Sequence, residues 1–157
     1  MIAQKLGRRW IGIDVTHIAI GMIEDRMRSG YPGIEFETIG VPRDLASAER
    51  LAAEDPHQFQ QWVCWQVGGF PREKKGGDKG VDGWFNYEWV DTERAGARTI
   101  RTGVISVKAG DNVNPGMVRD LGQVMKRDGH DFGLFIMKGL PTKGMREEAA
   151  SHPLIET

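Results

Sequence analysis

The chain has 157 residues, 27% of them charged, a formal net charge of −1 at pH 7 and one cysteine, Cys64. That balance excludes a polyanion binder that works by overall charge, so any contact with nucleic acid must come from local basic patches. A single cysteine excludes an intramolecular disulfide framework and fits a reducing cytoplasm. No apolar run approaches the roughly 20 residues of a membrane span, and no signal-peptide core opens the chain, so a soluble, cytoplasmic protein without a membrane partner is expected.

Residues Lys5 to Asp14 (KLGRRWIGID) read as a helix end, a glycine turn and a short buried strand, Ile11 to Val15, ending in an acidic residue. Such an abrupt beginning leads to the expectation that the preceding strand and the start of the helix belong to a missing N-terminal portion. Thr16 is placed to cap a partly apolar helix over His17 to Met27, and SGYPG at Ser29 to Gly33 breaks it. Ile34 to Ile39 alternates like a strand. The boundary between two parts is placed near residue 40, giving segments 1–40 and 41–157.

From Asp44 onward the signals are stronger. Asp44 caps a short helix carrying Leu45, Ala48, Leu51 and Ala52. Asp55, Pro56 and Gln58 form a capping-box pattern that opens a second helix, with Phe59, Trp62, Val63 and Val67 along one stripe. A basic, glycine-rich loop over Arg72 to Gly80 follows, then an aromatic strand over Val81 to Val90 and a second over Thr99 to Ala109. Asn114 and Pro115 start a third helix with Met117, Val118, Leu121, Val124 and Met125 on one face. Phe132 to Met137 is a final buried strand and Lys143 to Ala150 a short helix. The order is that of a mixed α/β layered domain.

Asp82 at the start of one strand and Lys108 near the end of the next can meet at one sheet edge. A carboxylate there can hold a divalent cation that polarises a phosphate and lowers the pKa of a bound water, while a lysine orients that water. Lys74, Lys75 and Lys79 in the preceding loop suit a phosphate backbone. On spacing alone a plainer alternative stands beside this one: an ordinary Asp-Gly turn and a lysine ending its strand at solvent. The four histidines are scattered and with one cysteine make no zinc pattern. Cys64, Trp62 and Trp65 read as core residues, whereas exposed members of the set Trp84, Phe85, Tyr87 and Trp89 would suit nucleic acid.

The stretch GDKGVDG (Gly77 to Gly83), followed by VISVKAG (Val104 to Gly110), resembles the PD-(D/E)xK restriction-endonuclease fold in its Mrr-like branch. The resemblance covers roughly Asp55 to Met137 and implies a mixed sheet flanked by helices. It further implies a Mg²⁺- or Mn²⁺-dependent site and double-stranded DNA as partner. Asp82 falls on the family's metal-binding Asp and Lys108 on its Lys. The Val107 carbonyl and Ser106 would complete the site, but Ser106 stands where the family has Glu or Gln, so one ligand is short and uncharged. Where some members carry a first-helix Glu, this chain offers Gln58, Gln60 and Gln61.

GRRWIGID (Gly7 to Asp14) is similar to the segment after the glycine motif of bacterial adenine-N6/cytosine-N4 DNA methyltransferases. This implies a partial Rossmann-like strand-helix unit, with Asp14 on the ribose of S-adenosylmethionine in a full-length enzyme. The glycine-rich cofactor loop and the (D/N/S)PP(Y/W) motif are absent from these residues, so the chain by itself is not expected to methylate DNA. Together the two resemblances imply a methyltransferase tail joined to a nuclease-like, DNA-handling domain. That domain would be either active or a non-cleaving binding or structural extension.

Overall fold

The computed structural model describes residues 2–14, 16–72, 80–91 and 97–151. These fall into two compact units, residues 1–43 and 44–157.

In the first unit, α1 (Ile2–Lys5) is a single turn and α2 (His17–Gly30) a longer helix. The Thr16 hydroxyl caps α2 by accepting the Ala19 N–H at 3.2 Å. Glu24 ties the unit together through Arg28 at 3.1 Å, Arg43 at 3.5 Å and the Thr38 hydroxyl. Burial works against ionisation of Glu24, but those hydrogen bonds and the charges of Arg28 and Arg43 prevail and hold its carboxyl below the usual range. Arg28 also stacks over Phe36 at 5.2 Å, and Phe36 lies 6.1 Å from the Trp10 ring.

The strand expected over Ile11 to Val15 is overturned. Ile11 and Ile13 are 90% and 89% exposed and the segment to Asp14 is irregular; Val15 lies outside the described residues. An apolar run becomes a buried strand only where neighbours supply a ladder and a cover, and no strand occurs among the described residues of this unit. Ile34 to Ile39 is likewise irregular, with Ile39 at 85% exposure.

In the second unit, α3 (Leu45–Glu54) and α4 (Pro56–Gln66) begin where their caps say they should. The Asp44 carboxylate accepts the Ser47 N–H at 2.8 Å, and Asp55 accepts those of His57 and Gln58 at 3.1 and 3.0 Å. The strands are β1 (Phe70–Pro71), β2 (Gly83–Asp91), β3 (Ala97–Lys108) and β4 (Gly133–Met137). They lie side by side in that order, antiparallel from β1 to β3 and parallel between β3 and β4. Between β3 and β4 runs α5 (Pro115–Asp128), capped by Asn114 and closed by Gly129 at φ 72°, and α6 (Lys143–Ala150) follows β4. This is the expected mixed sheet flanked by helices.

The core explains why Val104 to Val107 has no polar–apolar alternation. Ile105 and Val107 pack on one face against Phe59, Val63, Cys64 and Ala52 of α3 and α4. Val104 packs on the other face with Val81, Leu121 and Val124. A strand covered on both faces is apolar throughout, each such side chain contributing about 1.5–3 kcal/mol of burial.

Close packing continues to the start of β2. A Cβ on Gly83 would lie 2.7 Å from both the Cys64 sulfur and the Phe70 carbonyl oxygen. Gly83→Ala should therefore destabilise the domain by about 1–3 kcal/mol, read as a lower urea midpoint with an unchanged slope. A neutral result would mean that α4 and β1 can separate without cost.

Candidate metal and DNA site

The site is built where β2 begins beside the end of β3. Asp82, the last residue before β2, is held by contacts of both its backbone and its side chain. Its N–H donates to the Ile105 carbonyl at 2.8 Å, and its own carbonyl accepts the Arg72 N–H at 2.9 Å. The Cys64 thiol approaches that same carbonyl at 3.7 Å. Its carboxylate accepts the Val107 N–H at 2.7 Å. The last contact matters most, because it joins the carboxylate directly to the backbone that carries Ser106, Val107 and Lys108. Residues separated by about two dozen positions in the chain thus share one corner of the sheet.

Within that corner Val107 is 1% exposed and Ser106 2%, the latter being the only buried polar side chain among the described residues. Lys108 is half-buried at the strand end, where its backbone pairs with Met137, and among the described residues its side chain makes no hydrogen bond or ion pair. Cys64 is completely buried, and its thiol is pushed up to about 12 by burial and by the Asp82 charge. It is a packing residue beneath the corner, as its sequence setting suggested.

The Gln58 amide donates to Asp55 at 3.1 Å, so this side chain serves the cap of its own helix. Gln60 and Gln61 are half-buried on α4. Asp14 belongs to the first unit, where one carboxylate oxygen accepts both the N–H and the hydroxyl of Thr16 at 2.8 Å. Lys74, Lys75, Asp78 and Lys79 lie outside the described residues.

Sequence reasoning missed three neighbours. Arg72 follows a two-residue strand too short to show any periodicity. The Cys64 contact depends on how α4 crosses the sheet. Lys138, just past the end of β4, follows Met137, the register partner of Lys108. It forms an ion pair with Asp111 at 2.9 Å.

Could the corner hold a metal ion? Among the described residues no three His, Cys, Asp or Glu side chains cluster. The available set is the Asp82 carboxylate, main-chain oxygen and the Ser106 hydroxyl. Mg²⁺ is commonly held by only one or two carboxylates, with waters and substrate phosphates completing its shell. The residues therefore fit a weakly held ion that depends on substrate for part of its coordination.

The aromatic side chains of β2 divide by face. Trp84 joins the α5 side of the core and Phe85 the α4 side. Arg101 stacks over Trp89 at 4.3 Å, while the Tyr87 hydroxyl and Arg101 both reach Asp131, at 3.3 and 2.6 Å. Desolvation, followed by the Asp131 charge, raises the Tyr87 phenol above its usual pKa.

A protein-family model described as restriction endonuclease (Mrr_cat) matches residues 51–156, well over half of the chain, and the chain belongs to that family. No curated protein and no solved structure matches. Among the described residues no helix is long and apolar enough to cross a membrane.

The setting of Cys64 yields a direct expectation. A disulfide reagent at pH 8 should leave the native thiol unmodified and titrate it only in denaturant. The fold holds the thiol proton more tightly than the unfolded chain does, so this contribution to stability is complete below the ordinary thiol pKa of 9.0 and is lost as pH rises toward about 12. Rapid native labelling would disprove the closed corner.

Proposed function

We propose that this restriction-endonuclease family member is a DNA-handling domain whose corner at Asp82 and Lys108 can hydrolyse phosphodiesters with Mg²⁺ or Mn²⁺. The observation that carries the reading is the 2.7 Å bond from the Val107 N–H to the Asp82 carboxylate. It holds the Asp82 carboxylate beside the segment that ends in Lys108.

A bound divalent ion would polarise the phosphate and lower the pKa of a water. Asp82 supplies carboxylate oxygen to that ion, with the Val107 carbonyl and the Ser106 hydroxyl as neutral donors. The Lys108 ammonium orients the water and offsets charge gathering on the phosphate. Buried side chains around Ile105 and Val107 keep the corner rigid and shield one side of it from solvent. Lys74, Lys75 and Lys79 belong to this reading as contacts to duplex DNA along its backbone.

The larger context belongs to the same proposal. The likeness of Gly7 to Asp14 to DNA adenine-N6/cytosine-N4 methyltransferases supports a chain in which this domain follows a methyltransferase. Asp14 would then meet the ribose of S-adenosylmethionine only in the complete enzyme. One feature favours a second reading, a domain that binds DNA without cutting it. Ser106 is short, uncharged and 2% exposed at the position where a charged or amide ligand would strengthen the ion.

Incubation of supercoiled plasmid with the purified chain, first in Mg²⁺ and then in Mn²⁺, separates the two. An active site gives nicking that Asp82→Asn and Lys108→Ala each reduce by about 100-fold or more. Asp82→Asn is informative because its amide oxygen can still accept the Val107 N–H, leaving the anchor in place while the charge is removed. Absence of cleavage by the wild type, with salt-dependent DNA binding retained, leaves the binding module.

A further inference from the structure

Lys138 and Asp111 form an ion pair at this end of the sheet, at 2.9 Å, and the two partners are unequal. The Lys138 side chain is 23% exposed and the Asp111 carboxylate 89%. Lys138 is set in the fold, since it follows directly on β4, which pairs in register with β3 up to Lys108 and Met137. Lys108 and Lys138 therefore leave the ends of neighbouring parallel strands, at the end where Asp82 is bonded to Val107. Asp111 lies in the connection from β3 to α5, three residues past Lys108. From α3, Glu49 adds a second negative charge facing Lys138.

An exposed carboxylate on a lysine has the charge and the oxygen donors of a phosphate. Such a surface pair is worth only about 0–1 kcal/mol, so a competing anion displaces the carboxylate at little cost. Lys138 lines, with Ile136, Met137, Val107 and Glu49, a cavity of about 290 Å³, and its side chain is only 23% exposed. This keeps the ammonium at the sheet end rather than free in solvent.

We propose that Lys138 is a contact for a DNA phosphate next to the one held at Asp82 and Lys108, and that Asp111 occupies it until DNA arrives. This rests on the DNA-handling reading above and adds a residue and a self-competition that reading does not contain. The two partners then act with opposite signs. Lys138 strengthens binding, and Asp111 weakens it by standing in for the phosphate.

The test is binding of the full chain to a fluorescent 30-base-pair duplex in Ca²⁺, measured over a range of salt. Lys138→Gln, which keeps most of the stem, should weaken binding and lower the log–log salt slope by about one. Asp111→Asn should tighten binding about two- to fivefold. That gain should vanish in the Lys138→Gln background, since no lysine remains to be released. Glu35→Gln, at an exposed position of the first unit, controls for the change in net charge. Equal gains from Asp111→Asn and Glu35→Gln, or a gain that survives in the double variant, overturn the proposal while leaving the DNA-handling reading standing. A wild-type chain that does not bind the duplex overturns both. Thermal unfolding of each variant beside the wild type excludes loss of fold as the cause of weaker binding.

Discussion

The candidate site depends on a carboxylate doing the work of a strand carbonyl. The β2 ladder ends at Gly83, yet β3 runs on to Lys108, so the Val107 N–H, on a residue 1% exposed, needs an acceptor that β2 no longer offers. A buried N–H without one costs about 1–3 kcal/mol. Asp82 meets that need with its side chain. The same bond that completes the sheet therefore aims the carboxylate at the Ser106–Lys108 segment. A carboxylate offers about four acceptor positions, so being an anchor does not prevent it from being a ligand.

That bond keeps its geometry because β3 cannot shift. Helices α3 and α4 cover one face of it and α5 the other, and a one-residue slip would exchange the faces of Ile105 and Val107 with those of Val104 and Ser106. The interlock of Gly83 with Cys64 and Phe70 fixes the start of β2 in the same way. A reactive corner is best placed on such elements, because loss of even 1 Å in alignment is costly for phosphoryl chemistry. Lys108 and Lys138 then stand at or just past the ends of two neighbouring paired strands.

Much of the second unit was legible in the residues. Asp44, Asp55, Asn114 and Thr142 each cap the helix expected after them, because capping is a local contact of two or three residues. The stripe Val118, Leu121 and Val124 is buried as its spacing implies. Ile11 to Asp14 failed for the converse reason: burial of a strand is a property of its neighbours, and its apolar run is the same whether neighbours are present or not. Phe70–Pro71 was missed because two residues have no period. At the candidate site, family likeness singled out Asp82 and Lys108, and the structure bonds the Asp82 carboxylate to Val107, next to Lys108. The contacts with Cys64 and Arg72, and the Lys138–Asp111 pair, require the register of four strands and the crossing of α4, which no local pattern encodes.

Charge decides how this corner differs from a strongly metal-binding one. With Ser106 in place of an acidic or amide ligand, the segment that meets Asp82 brings one cation and no further anion. Fewer negative ligands mean less attraction for a divalent ion, but also less repulsion of a phosphodiester. If the corner acts as proposed, that balance would favour an ion whose shell is completed by phosphate oxygens. Burial reinforces this. A Glu at a position only 2% exposed would have to shed its water, and without the ion in place its charge would be costly there, whereas serine carries no such penalty. On the proposed reading, a divalent ion would therefore be held in part by the phosphate it acts on.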